Sequence, residues 1–552
     1  MKGVSVPWAR VRAELLNAWW PIRGRQLFLV AASASFLGSI ASSTAMGGEA
    51  LHDIDAKATE AVDVTPTAKL GINLDGLTDW GRTWMFVDVF KQSRPWSAGH
   101  SPGHFQTSVE KLALDEHGSV ISLRPGQSAT TYIFTDSDGH YPDGRYLARY
   151  EGDGEMHWKG DATVAATAPG QILLDVIPRK GIRLELTRTN PQNPIRNIRL
   201  YMPGFDDDEE SPRFHPLFVD RLGNFSVLRF MDLQRTNDSQ LQRWGQRSRP
   251  TDGTQAGPKG VALEHLMELV EVLDVDPWFC MPHMADDQFV RNFAELVRDH
   301  LPDGRKVYIE YSNEVWNGMF EQARFARDQG LALGLSERDY EAQLRFQSQR
   351  SVEIFRIWED AFGGPDRLVR VLSTHFANPW ATETVLAWHD AYKSADALAV
   401  APYFGQKIGD SRNGLKMDEW DTDRLLQSLD QEISTLLPKI RALARTAEKK
   451  GLRLIAYEGG QHLVERAVKQ NHAGWTALFH AANRHPGMTS LYRRYLVEWR
   501  RQGGGLFTLF SFVSKPSKWG SWGVLEWQDQ PDESAPKWKA ALEATEGLPP
   551  LR

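Results

Sequence analysis

A single cysteine, Cys280, stands among 552 residues. One thiol excludes an intrachain disulfide and any cysteine-based zinc cluster. Charge of one sign is lacking too: 64 Lys and Arg face 71 Asp and Glu, for a net charge of −7. A nucleic-acid binder needs a concentrated basic face, so no nucleic-acid partner is expected. The sequence contains no His-Glu-x-x-His zinc motif and no phosphate-binding glycine loop ending in Lys-Ser/Thr. Gly409-Asp410-Ser411-Arg412-Asn413 comes nearest to a nucleophile elbow and lacks its second glycine. What is present points to a folded chain. At 41% hydrophobic and 24% charged residues it can bury a large core, which excludes global disorder. Tryptophan is abundant, with 20 copies. Such rings fill cores, and exposed in a cleft they offer flat apolar faces, including to sugars.

Arg23 and Arg25 precede an apolar run from Leu27 to Ala41, followed by Ser42, Ser43, Thr44 and Ala45. A basic flank, a short apolar core and a small-x-small exit predict a signal peptide over 1–46, cleaved after Ala45. The run falls short of the roughly 20 residues of a comfortable membrane span, and no later stretch is apolar enough to cross. An uncleaved anchor is the alternative. Residues 47–68 read as a polar linker. The expectation is export, periplasmic or extracellular, with no stable membrane span after cleavage.

Eight short apolar runs follow: Leu70 to Leu74, Ser226 to Phe230, Pro277 to Met281, Val307 to Tyr311, Leu368 to Leu372, Ala397 to Ala401, Leu452 to Tyr457 and Leu506 to Phe512. Several intervals after the second run carry helical periodicity, as in Phe289, Phe293, Leu296 and Val297. Strands alternating with helices imply parallel pairing, and eight units predict a closed (β/α)8 barrel, an α/β fold. Between the first two runs the pattern changes. Segments of β type, such as Thr131 to Phe134, Ile172 to Val176, Ile182 to Leu186 and Ile198 to Tyr201, are separated by Asp-Gly, Pro-Gly and Lys-Gly turn signals. This predicts an all-β, sandwich-like insert over 105–203. The barrel would then comprise 69–104 and 204–545.

Two motifs sit at predicted strand ends, where such barrels carry their active sites. Ile309-Glu310-Tyr311-Ser312-Asn313-Glu314-Val315-Trp316-Asn317 closes strand four, and Ile455-Ala456-Tyr457-Glu458-Gly459-Gly460 closes strand seven. Those strands face each other across the barrel mouth, so Glu314 and Glu458 are candidates to converge on one bound bond. Two carboxylates suffice for glycoside hydrolysis: one protonates the leaving oxygen while the other attacks or activates water. Asn313 is a candidate to hold a sugar hydroxyl. The bland alternatives are a helix-capping role for Glu314 and a turn role for Glu458. Glu310 is a competing carboxylate, suited to an ion pair with Arg229 lower in the barrel. His283 and His375, after strands three and five, read equally as cleft-lining or as satisfied buried histidines. Asp136, Asp138 and Asp143 read as a solvated turn ahead of a calcium site.

The Asn-Glu after strand four and the Glu after strand seven resemble the retaining glycoside hydrolases of clan A. The resemblance covers the barrel and not the insert. It implies that Arg229 supports a nucleophile, that Tyr403 fills the aromatic position after strand six, and that Trp519 or Trp522 is the platform under a sugar. The wording of the two motifs is also similar to secreted bacterial proteins loosely labelled cellulose-binding. Taken together, the reading is an exported retaining glycosidase acting on a polysaccharide or oligosaccharide. Glu314 is its acid and base and Glu458 its nucleophile, with Asn313, Arg229, Tyr403, His283, His375, Trp316, Trp519 and Trp522 around them. No cofactor or metal is implied. A non-catalytic glycan-binding or matrix protein, or a transglycosylase, are the alternatives. The roles carry an expectation about acidity: Glu314 raised by desolvation, and Glu458 lowered by Arg229 and Tyr403.

Overall fold

The computed structural model describes residues 70–100, 111–208, 211–410, 417–465 and 472–547. The expected signal peptide and linker, part of the Gly409–Asn413 segment and the start of the expected insert lie outside the described residues. Eight parallel strands close into a barrel: Leu70–Asn73, Val227–Arg229, Asp276–Met281, Val307–Tyr311, Leu368–Ser373, Ala397–Val400, Arg453–Ala456 and Phe507–Leu509. They are called strands one to eight below.

Side chains alternate along each strand, and that period of two explains both cores. Val227, Trp278, Cys280, Tyr308, Val369, Val371, Ala397, Ala399, Ile455 and Tyr457 fill the barrel interior. Their neighbours Leu228, Phe279, Ile309, Leu372, Leu398 and Leu454 face the helices in the main core. Small residues on strand six leave room for bulk on strands three and four, where Trp278 and Tyr308 stack with ring centroids 5.2 Å apart. Truncating Trp278 to alanine would cost about 3–5 kcal/mol. Arg229 and Glu310 hold the same inward parity as Val227 and Tyr308, which carries two charges into the barrel.

Helices return the chain between strands. Asp287–His300 is representative: Asp286 caps it, accepting from the Phe289 N–H at 2.7 Å, and Phe289, Val290, Phe293, Ala294 and Val297 are its buried face. No described helix is long and apolar enough to cross a membrane.

Between strands one and two lie two four-stranded antiparallel sheets. One orders Ser97–His100, Gln127–Ile133, Ile182–Thr189 and Gly154–Gly160. The other orders Arg196–Tyr201, Gly144–Glu151, Gln171–Val176 and Ala162–Ala168. Ile133, Trp158, Leu184 and Leu186 from the first share a core with Tyr146, Ala148, Leu174 and Leu200 from the second, so the expected sandwich-like insert is present. The insert also meets the segment after strand eight. Asp136 and Asp138 form ion pairs with Lys515 and Arg82, and His140 stacks on Trp527 at 4.1 Å. Two of the three aspartates weighed for calcium are thus engaged by cations of the chain itself.

Candidate active site

The site is built around Arg229, a fully buried guanidinium at the end of strand two. Its Nη1 donates to Glu458 Oε1 and to Asn73 Oδ1, both at 3.0 Å. Its Nη2 donates to Glu310 Oε2 and to Asn313 Oδ1, both at 2.8 Å. The planar fork suits this task, since four acceptors from strands one, four and seven converge on two nitrogens. Trp278 and Tyr457 pack on the guanidinium from within the barrel, with centroids 5.4 and 5.1 Å from its central carbon.

Glu458 is buried and directly follows strand seven. Its second oxygen accepts from the Tyr403 hydroxyl at 3.0 Å. Glu314 is half-buried. Its Oε1 accepts from the Tyr457 hydroxyl at 3.0 Å and its Oε2 from Asn317 Nδ2 at 2.8 Å. The two carboxylates are thus held differently, Glu458 by a cation and a phenol, Glu314 by neutral donors alone. Beyond strand four the backbone leaves extended geometry, with φ of +55° at Ser312 and +44° at Glu314. Left-handed backbone at a glutamate is uncommon, and such positions persist where the surroundings fix them.

Burial pushes the carboxyl of Glu314 above the usual range, while Asn317 and Tyr457 act against that rise. Burial likewise pushes Glu458 up to about 8, opposed by Arg229 and Tyr403 and reinforced by the charges of Glu314 and Asp232. The lowered value expected for Glu458 is therefore corrected: removal from water outweighs one cation and one hydrogen bond. The charge of Glu314 raises Glu458, so ionising both together is disfavoured. With one proton between them, the ion pair with Arg229 favours the anion on Glu458.

The other predicted residues divide. Asn313 is buried, and both its side-chain polar atoms have protein partners: besides accepting from Arg229, its Nδ2 donates to Asn237 Oδ1 at 3.1 Å. Trp522 packs edge-on against Tyr403 at 5.7 Å, which brings it to the nucleophile candidate's side. Trp519 is 57% exposed, with Lys518 over its ring. Trp316 meets His375 edge to face at 4.5 Å, two residues beyond Glu314. His283 is buried against Phe325 at 5.3 Å, and burial lowers its pKa as it does that of His375. Among the described residues no hydrogen bond or ion pair joins either histidine to the glutamate pair.

Sequence reasoning overlooked four residues. Asn73 ends strand one and ties three strands together, donating to Tyr457 O at 3.0 Å and Leu509 O at 3.2 Å besides accepting from Arg229. Tyr457 lay within a quoted motif with no role attached. Asp75 and Asp232 follow strands one and two. Burial drives them up to about 7 and about 6, and the charge of Asp232 raises both Asp75 and Glu458. Their signal was position alone: polar residues just past barrel strands one and two.

No family model matches the sequence, and no curated protein does. Solved structures with some similarity include a Bacteroidetes-affiliated GH5 cellulase at 13% identity and TM-score 0.37, covering 60% of this chain and 87% of that one. A GH26 β-mannanase from Bacteroides ovatus matches at 10% identity and TM-score 0.31, covering 62% and 85%. An endo-1,4-β-D-mannanase from Thermotoga petrophila matches at 11% identity and TM-score 0.32, covering 60% and 93%. Likeness this remote says nothing about reaction or substrate.

Proposed function

We propose that the chain is a retaining glycoside hydrolase acting on a polysaccharide or oligosaccharide. The observation that carries this reading is the asymmetric support of two carboxylates at one barrel mouth. Glu458 has the cation that a nucleophilic anion needs, donated from Arg229 at 3.0 Å. Glu314 lacks such a partner: its oxygens accept from the Tyr457 hydroxyl and from Asn317 Nδ2, both neutral. In the first step Glu458 attacks the anomeric carbon while Glu314 gives its proton to the glycosidic oxygen, so the C–O bond breaks and a covalent glycosyl-enzyme forms. In the second, Glu314 takes a proton from water, whose oxygen attacks the same carbon and frees Glu458. Two inversions give net retention, and one water is consumed.

Trp522 and Tyr403 would form the wall beside the reacting sugar, and Trp316 with His375 the opposite side. The same reading takes 1–46 as an export signal, 47–68 as a linker, 69–104 and 204–545 as the catalytic barrel, and 105–203 as an insert that extends the glycan surface. The test is proton NMR of the first-formed anomer during digestion of a panel of neutral and charged polysaccharides. Retained configuration with wild type, lost in Glu458→Gln, is expected. Glycan binding without wild-type turnover would overturn the enzymatic reading in favour of a non-catalytic binder.

A further inference from the structure

Strand eight does not lead directly into a helix. Ser511 N donates to Trp522 O at 3.1 Å, Val524 N to Ser511 O at 2.8 Å, and Leu525 N to Phe512 O at 3.1 Å. These bonds lay residues 522–525 alongside 511–514 in the same direction, and Val513 and Leu525 form a parallel bridge. The connecting loop turns at Ser517–Gly520, which carries Trp519, and Trp522 opens the second segment. The Trp522 ring touches three aromatic neighbours edge-on: His462 at 4.8 Å, Tyr403 at 5.7 Å and Phe510 at 5.9 Å. Tyr403 in turn donates to Glu458. The position of one indole therefore bears on the wall beside the nucleophile candidate.

Where the backbone of an irregular segment leaves a buried peptide group unpaired, a side chain can meet it. Here two converge on one carbonyl. Gln461 Nε2, from the loop after strand seven, and Lys537 Nζ both donate to Ser521 O at 2.6 Å. The same ammonium reaches Trp522 O at 3.4 Å. Lys537 lies in the first turn of helix Pro536–Thr545 and is 2% exposed. Burying an ammonium is expensive, and an apolar side chain of similar length would fill the space without that penalty. Burial lowers its pKa to about 7 against the pull of Glu526 and Asp75. What the ammonium supplies, and methionine would not, is donors to the backbone on either side of the Ser521–Trp522 peptide.

We propose that Lys537 is a positioning residue. By holding the Ser521 and Trp522 carbonyls it fixes the Trp522 ring against Tyr403, and so governs sugar binding at the site assigned above, on whose glycosidase reading this role rests. The role belongs to binding and not to proton transfer, because Lys537 donates to the backbone and its effect reaches Glu458 only through two rings.

The experiment uses the full chain labelled with 5-fluorotryptophan, with the Trp522 fluorine resonance assigned by its loss in Trp522→Phe. Lys537→Met is expected to move or broaden that resonance while most of the other tryptophan signals hold. It is also expected to raise KM about tenfold with kcat within about twofold, because the wall that Lys537 holds contacts the sugar and transfers no proton. Lys537→Arg, which keeps donors, is expected to recover part of the KM. An unmoved Trp522 resonance in folded Lys537→Met overturns the proposal, as does a moved resonance with unchanged KM. If Lys537→Met does not fold, Gln461→Leu removes the second donor to the same carbonyl and is read the same way. The fluorine signal requires no turnover. A moved resonance in a protein whose wild type cleaves nothing would uphold the clamp and overturn only the glycosidase reading.

Discussion

Arg229 and Glu458 are joined across the barrel mouth at 3.0 Å, and the same guanidinium holds Glu310 at 2.8 Å. One buried cation thus serves two buried carboxylates from strands four and seven. Methionine at 229 would fill much of the volume and leave Glu310 and Glu458 without their cation. Arg229→Met is expected to destabilise the fold by about 3–5 kcal/mol in urea titrations above about pH 8, where Glu458 is ionised. The loss should shrink as pH falls through that value, because a protonated Glu458 needs no cation. An equal loss on both sides of that value would assign the residue a packing role instead.

Asp232 offers a test by charge alone, since no hydrogen bond to its carboxylate is seen among the described residues. Its pKa rises from 3.8 to about 6, chiefly through burial. A carboxyl whose folded pKa exceeds its unfolded value holds its proton more tightly in the fold, so stability is lost as pH climbs from the lower value to the higher. Asp232→Asn is expected to flatten stability between those two values. It should also lower the pKa of Glu458, because the Asp232 charge raises it. The acid limb of kcat/KM would then move to lower pH, and an unmoved limb would sever the link between the two residues.

The pH profile of the wild type follows from the pair. Turnover needs one proton shared between Glu314 and Glu458, and fails when both are protonated or both ionised. Both carboxyls lie above the ordinary range, with Glu458 near 8. Activity should therefore peak close to neutral pH or above it. An optimum below about 5, in the range of ordinary glutamates, would contradict the burial seen at the site.

The barrel was legible because each strand is a short apolar run whose inward and outward sets alternate, as in Val227 and Leu228. That Glu314 and Glu458 follow strands four and seven was legible, because each lies just past one of those apolar runs. Asn73 was not, since it closes an apolar run and carries no charge to draw attention. Asp75 and Asp232 belong to no motif, and they gain meaning only once the fold places them just past strands one and two. Lys537 belongs to no motif, and only the fold buries it against the Ser521 and Trp522 carbonyls. The acidity expected of Glu458 failed for a related reason. A sequence lists the charges near a group and does not reveal how much water the fold removes from around it.

The sharpest prediction separates two glutamates of one chemical type. Glu314→Ala removes the acid of the first step and the base of the second. Substrates with poor leaving groups should lose about 10²–10⁴ in rate, the usual contribution of general acid catalysis. Substrates with good leaving groups need little protonation, so their glycosyl-enzyme should still form on Glu458, which keeps its partners Arg229 and Tyr403. That intermediate would then wait for a nucleophile needing no base. Added azide should restore rate and give a glycosyl azide of retained configuration. Glu458→Ala removes the attacking oxygen, so retaining turnover should vanish for both substrate types with or without azide. The two variants are compared by rate and by NMR of the azide product. A retained azide product from Glu458→Ala, and none from Glu314→Ala, would reverse the two roles and with them the significance of the Arg229 ion pair.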